Sequence, residues 1–264
     1  MKVKYDFNVE QEVENIINWL KKYFINNGDS STRAILGMSG GKDSTVAAAL
    51  IGKAIGKERV IGVMMPQNGQ ADIDDARKAC ELYCGKSIEV DIGPACDALY
   101  KTIDEEEYPD STCSIQDHSM VSTNTPARIR MTTLYALGAI YKARVVNTCN
   151  WSEEYVGWST KYGDNAGDFT VLGNYTVTEI LAIGEYLGVP NELLYKAPAD
   201  GMCGLTDEDK LGFSYKVLDN YIRKDELPNY ETLRLIRERY RASFHKRQAV
   251  TLPGIHPKIY STDN

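Results

Sequence analysis

Eight consecutive residues, Gly37-Met38-Ser39-Gly40-Gly41-Lys42-Asp43-Ser44, have the makings of a phosphate-binding turn. A short apolar run, Arg33-Ala34-Ile35-Leu36, precedes them, and an apolar helix-like run from Thr45 to Ile55 follows. A glycine-rich turn between strand and helix aims several backbone N–H groups at one anion and faces it with the positive end of the helix. The turn is not a Walker A loop. That loop needs Gly-Lys followed by Ser or Thr, with another Gly five positions before the Gly of that pair. Here Asp43 follows Lys42, and Leu36 stands five positions before Gly41. A carboxylate inside an anion cradle needs a cation beside it, and Mg²⁺ bound by Asp43 and phosphate oxygens meets that need. A plain strand-to-helix turn would explain the two glycines through their tolerance of positive φ. It does not explain Ser39, Asp43 and Ser44 together.

The elements that must position this turn can be read from periodicity. Val13, Ile16, Ile17, Leu20 and Phe24 recur at helical spacing over residues 9–27, and Asn27-Gly28-Asp29 ends that helix. After the loop helix, Arg59 to Met65 reads as a second strand ending at Pro66, and Gln67-Asn68-Gly69-Gln70 as a turn. Asp72, Asp74 and Asp75 load the first turn of the next helix, where the macrodipole favours acids. That helix runs to about Gly85, and Ser87 to Ile92 forms a third strand. Residues 105–123 have no sustained period and read as a long loop around Pro109. A helix is expected from Thr125-Pro126, with proline in its permitted first turn, and Arg144 to Thr148 as a fourth strand. This βαβαβ…αβ order predicts a Rossmann-like, three-layer α/β/α fold with a mostly parallel sheet. Thr176–Leu187, Asp207–Tyr221 and Tyr230–Lys246 are expected helices of a helical C-terminal region. Ligands of such sheets bind beyond the carboxyl ends of the strands. The opening loop, the turn after Pro66 and the segment after Thr148 all fall there.

The chain has 264 residues, 43% of them hydrophobic, which is ample for a core. A net charge of −7 implies no extended basic face, so nucleic acid is not an expected partner. The N-terminus lacks the apolar stretch of a signal peptide, and no apolar run is long enough to span a bilayer, so a cytoplasmic protein without a membrane partner is expected. Cys80 and Cys84 lie four apart on one helix face, without a second pair at metal-ligand spacing. With Cys96, Cys113, Cys149 and Cys203 they read as buried, reduced thiols.

The string Ser39-Gly40-Gly41-Lys42-Asp43-Ser44 resembles the pyrophosphate loop of ATP pyrophosphatase-type ligases, which cleave ATP between its α- and β-phosphates. Further segments narrow the resemblance. Asn124-Thr125-Pro126-Ala127-Arg128-Ile129-Arg130-Met131 is similar to the Asn-x-x-Ala-Arg-x-Arg-Met segment of NAD synthetases. Trp151-Ser152-Glu153-Glu154-Tyr155-Val156-Gly157-Trp158-Ser159-Thr160-Lys161-Tyr162-Gly163-Asp164 is similar to their Glu-x-x-x-Gly-x-x-Thr-Lys-Tyr-Gly-Asp stretch. Asp168 follows at the family's spacing, and His245-Lys246-Arg247 matches a His-Lys-Arg near the family's C-terminus. The resemblance covers residues 10–250 and is to the ammonia-dependent type. It implies one domain over residues 1–264, with an ATP pyrophosphatase core over about 30–175 and a helical region over about 176–250. It implies ATP-dependent amidation of deamido-NAD by ammonia, giving NAD, AMP and pyrophosphate through an acyl-adenylate, in a homodimer.

The resemblance also implies roles. Gly37, Met38, Ser39, Gly40, Gly41, Lys42, Asp43, Ser44, Gln70 and Thr148 would contact ATP. Asp43 and Glu153 would hold Mg²⁺, with Glu154 a rival that spacing alone does not separate from Glu153. Arg128, Lys161, His245 and Lys246 would meet the anionic deamido-NAD, with Asp168 beside them. Lys42, Asp43 and Asp168 would be catalytic. Arg128 and Arg130 are two apart and point roughly 200° apart on a helix, which leaves Arg130 a structural alternative. Three positions depart from the family pattern: Met64 stands for an ATP-contacting Arg, Val177 for a Lys and Ala199 for a Thr. Met64 and Val177 motivate one other reading, a nucleotide-binding relative without catalysis; a second alternative is a related amidating ligase acting on another carboxylate.

Overall fold

A computed structural model describes residues 5–107, 114–196 and 206–248. Four of the five strands are the apolar runs read above: β1 (Arg33–Gly37), β2 (Val60–Met64), β3 (Lys86–Glu89) and β4 (Ala143–Asn147). The fifth, β5 (Phe169–Thr170), was not expected. All pairs are parallel, in the order β3-β2-β1-β4-β5. Helices connect and flank them: α1 (Val9–Asn26), α2 (Lys42–Ile55), α3 (Ile73–Tyr83), α4 (Gly93–Glu107), α5 (Ser119–Tyr141) and α6 (Trp151–Val156). After β5 come α7 (Val177–Tyr186), α8 (Asn191–Leu194), α9 (Asp207–Leu211), α10 (Tyr215–Lys224) and α11 (Tyr230–Ala242).

Strand periodicity splits the core between two faces. Ala34, Leu36, Val60 and Met64 pack with α1, α2, α3 and α7 on one side. Ile35, Ile61, Val63 and Val145 pack with α4 and α5 on the other. Each face therefore takes alternate residues of one strand, as the pleat requires. The result is the three-layer α/β/α arrangement. A third cluster, Val156, Val177, Leu211, Phe213, Tyr215, Leu218 and Ile236, seats the C-terminal helices against α6 and α7.

Three expectations change. The supposed loop over 105–123 is shorter among the described residues: α4 continues to Glu107, and α5 begins at Ser119 rather than near Thr125. Pro126 thus lies inside α5, one turn deeper than proline prefers. Within that first stretch Ser122 and Thr123 hydroxyls donate to the Ser119 carbonyl at 3.1 and 2.8 Å. The expected helix Asp207–Tyr221 is two helices, broken where Gly212 adopts φ 83°. The expected helix Tyr230–Lys246 ends at Ala242 and gives way to a 3-10 turn over Phe244–Lys246. Pro109, Cys113, Ala199, Cys203 and His256 lie outside the described residues. Cys80, Cys84, Cys96 and Cys149 are free and buried, as expected.

Candidate active site

The sheet order reverses between β1 and β4, the switch point beyond whose strand ends open parallel sheets bind their ligands. The glycine-rich turn leaves β1 on one side of it. Asn150, Glu153 and the rest of α6 leave β4 on the other.

The turn is held by its own hydroxyls. The Gly41 N–H donates to Ser39 Oγ at 3.2 Å, the Ser39 and Ser44 hydroxyls lie 3.2 Å apart, and Ser44 Oγ donates to the Gly41 carbonyl at 3.2 Å. Gly37 closes β1, and the Met38 N–H bonds the Val63 carbonyl at 2.8 Å, so the turn starts from a fixed strand end. Gly40 has φ 78°, and a Cβ there would stand 2.6 Å from the Ala76 backbone nitrogen. Backbone cannot swing aside, so Gly40→Ala is expected to weaken ATP binding by about tenfold and cost about 1–3 kcal/mol of stability. Calorimetric ATP affinity and a denaturation midpoint test both; unchanged values would mean that the turn has room to shift.

Lys42 and Asp43 open α2. Lys42 Nζ pairs with Asp43 Oδ2 at 2.9 Å, with the two side chains only 12% and 20% exposed. Asp43 Oδ1 accepts from Asn150 Nδ2 at 3.2 Å, and the Asn150 N–H donates to Glu153 Oε2 at 3.0 Å. Asn150 and Glu153 form a reciprocal cap on α6, whose sequence signature is Asn-x-x-Glu. One asparagine thus ties the two predicted metal carboxylates together. Burial would lower Lys42, but Asp43, Glu153 and Asp207 hold it above the usual lysine range. Burial and then Asp43 push Glu153 well above the usual carboxyl range. Burial raises Glu154, Asp164 adds to this, and Arg247 and Lys246 oppose. Of the two rivals, Glu153 is the one joined to Asp43 through Asn150.

Among the described residues no three of His, Cys, Asp or Glu come together as a metal cage. Mg²⁺ does not require one. It takes one or two carboxylates and completes its shell with phosphate oxygens and water. Asp43 and Glu153, hard oxygen donors beside a phosphate turn, fit that half-site.

Four predicted dinucleotide contacts, from three segments, converge. Arg128 Nε donates to the Lys161 carbonyl at 3.3 Å, and Lys161 Nζ to the His245 carbonyl at 2.6 Å. Lys246 Nζ reaches the Gly157 and Ser159 carbonyls at 2.8 and 2.5 Å. Arg130 is part-buried and donates to the Met65 carbonyl at 3.0 Å, a structural contact. The Asp168 carboxylate is held between β4 and α5. Its Oδ2 accepts the Val145 N–H at 2.8 Å and its Oδ1 the Tyr135 hydroxyl at 3.4 Å. Gln70 sits in the turn after β2, donating to Asp72 Oδ1 at 2.8 Å; Lys196 pairs with Asp72 and Asp75 at 2.5 and 2.6 Å. Thr148 is half-buried just beyond β4. Met64 and Val177, where cations were expected, are buried core residues at 5% and 8% exposure.

The sequence reading missed Asn150, Asp207 and Tyr215. Asp207 is one of the acids that raise Lys42. Tyr215 places its ring 5.8 Å beneath the Lys42 ammonium. The place of Asp207 and Tyr215 at the site follows from the packing of the C-terminal helices through the third core cluster, which no local pattern announces.

A parallel α/β sheet with a phosphate turn and a carboxylate pair at its switch point defines a nucleotide-dependent enzyme of the α/β class. The NAD synthase family model matches residues 12–250. An NH₃-dependent NAD⁺ synthetase of Carboxydothermus hydrogenoformans is 32% identical, over 93% of this chain and 98% of its own length. One from Pyrococcus furiosus is 31% identical over 96% of each. Among solved structures, an NMN synthetase from Francisella tularensis superposes with TM-score 0.84 at 30% identity, covering 95% of this chain and all of the other. An NH₃-dependent NAD synthetase from Campylobacter jejuni gives 0.71 at 25% identity, covering 97% of this chain and all of the other. The chain belongs to the NAD synthase family, and it is an enzyme of the ammonia-dependent ligase type.

Proposed function

We propose that this chain, as one domain, amidates the nicotinate carboxylate of deamido-NAD with ammonia, driven by ATP. The observation that carries this reading is the Lys42–Asp43–Asn150–Glu153 chain of contacts at the sheet's switch point. A carboxylate is a poor acyl donor because oxide leaves badly. Attack of its oxygen on the α-phosphorus breaks the bond to the β-phosphate, releasing pyrophosphate and forming an acyl-adenylate. Ammonia then adds to the acyl carbon, loses a proton, and AMP leaves. Loop amides with Ser39 and Ser44 would hold the departing phosphates, with Gln70 and Thr148 contacting ATP. Mg²⁺, held by Asp43 and Glu153, would offset phosphate charge. Arg128, Lys161, His245 and Lys246 supply cations and donors for the anionic acyl substrate.

The test is incubation with ATP, Mg²⁺, ammonium and deamido-NAD, with NAD, AMP and pyrophosphate measured in equal amounts. Absence of all three would refute the reading. The higher TM-score to an NMN synthetase favours a second one, in which the acyl substrate is the mononucleotide. Both substrates carry the same reacting carboxylate and differ in the adenylate half. A parallel assay with nicotinate mononucleotide decides between them by kcat/KM.

The placement of Asp168 supports a homodimer. It lies with Tyr23 and Tyr135 beside Trp19, which is 45% exposed and stacked on Tyr23 at 5.5 Å. An exposed aromatic face of this kind suits a second copy. Asp168 would then serve a dinucleotide bound near the subunit boundary. We place the enzyme in the cytoplasm, where its buried thiols stay reduced.

A further inference from the structure

We propose that Lys42 is a resident counter-ion that keeps divalent metal off the Asp43–Glu153 pair until nucleotide phosphates draw its ammonium away. Metal binding is then conditional on nucleotide. This rests on Asp43 and Glu153 being the metal carboxylates.

Both Asp43 oxygens are already engaged. Lys42 Nζ holds Oδ2 at 2.9 Å, and Asn150 Nδ2 donates to Oδ1 at 3.2 Å. Glu153 Oε2 accepts the Asn150 N–H at 3.0 Å. A metal entering the ligand-free enzyme must displace an ammonium that is itself only 12% exposed. That ammonium is costly to strand without a partner. Its other supports are the Tyr215 ring at 5.8 Å and the charges of Glu153 and Asp207, and a metal on the pair takes the Glu153 carboxylate from it as well. The Tyr215 hydroxyl is buried with no hydrogen-bond partner in the protein, so it has a hydrogen bond to offer a bound polar group.

ATP phosphate removes the obstacle on both counts. It gives the ammonium a new anion, and it brings the metal its missing oxygens. By linkage, metal and nucleotide tighten each other to the same degree.

The test uses Mn²⁺ as the probe, counting free ion by its electron paramagnetic resonance signal with the full chain. Without nucleotide, Lys42→Met and Lys42→Gln are expected to bind Mn²⁺ about tenfold more tightly than wild type, a usual size for coupling between sites. Lys42→Arg keeps the charge and stays weak. A non-hydrolysable ATP analogue closes the gap between wild type and the neutral variants. Wild type binding Mn²⁺ equally well with and without the analogue would overturn the proposal. So would neutral variants no tighter than wild type. If Asp43→Asn still removes nucleotide-dependent Mn²⁺ binding in that second case, the carboxylate reading stands and only the role of Lys42 fails. If Asp43→Asn leaves Mn²⁺ binding unchanged, the carboxylate reading fails first.

Discussion

Asp43→Asn is expected to slow pyrophosphate release by about 100-fold or more when Mg²⁺ is limiting, the range seen when one preorganised electrostatic contact is removed. The substitution keeps the shape of the side chain, so Asn150 can still donate to Oδ1. What goes is the charge, and with it one of two carboxylates available to a cation. Raising Mg²⁺ should recover part of the rate, because mass action offsets a weakened site. The fold should lose little, since Glu153 and Asp207 still surround the Lys42 ammonium. Pyrophosphate release is measured across a Mg²⁺ series for both proteins. Full activity of the variant at low Mg²⁺ would remove Asp43 from the metal's coordination.

How much of this was legible in the sequence depended on length and on locality. β1, β2 and β4 announced themselves through short apolar runs between turn signals, whereas β3, Lys86-Ser87-Ile88-Glu89, begins one residue before its expected span and is mostly exposed. The loop announced itself because glycine, serine and aspartate at those positions have a joint chemical purpose. β5 did not, because its two residues carry no period. α6 was missed as a helix because its 6 residues span less than two turns. Its cap, Asn150 with Glu153, was nevertheless written plainly and would have placed Asn150 at the site. Gly212 and the cap at Ser214 likewise signal the break that splits α9 from α10. Asp207 and Tyr215 belong to another class. They reach Lys42 only because α9 and α10 fold back across more than half the chain, and nothing in their neighbourhood encodes that. Asp168 shows the reverse case. Its motif is legible, but nothing in the motif announces that its side chain bonds the Val145 N–H and the Tyr135 hydroxyl.

Asp219→Ala is expected to destabilise the protein by about 2–3 kcal/mol, because it leaves the buried Ser152 hydroxyl unpaired together with two part-buried donors of Thr178, a buried donor alone costing roughly 1–3 kcal/mol. Asp219 is 3% exposed. Its Oδ1 accepts the Ser152 hydroxyl at 2.6 Å, and its Oδ2 accepts the Thr178 N–H and hydroxyl at 2.8 and 2.6 Å. The Ser152 oxygen in turn accepts the Val177 N–H at 3.0 Å. One carboxylate on α10 therefore fixes α6 and the start of α7 together. Ser152 immediately precedes Glu153, so loosening this junction loosens the metal carboxylate as well. Asp219→Asn is nearly isosteric, yet its amide nitrogen must face a donor where an oxygen accepted, and it should recover only part of the loss. Denaturant midpoints measure the stability of both variants. Mn²⁺ affinity with a nucleotide analogue present reports whether Glu153 has moved. A loss below about 1 kcal/mol for the alanine variant would mean that water satisfies the stranded donors, and that the junction is wetter than its burial implies.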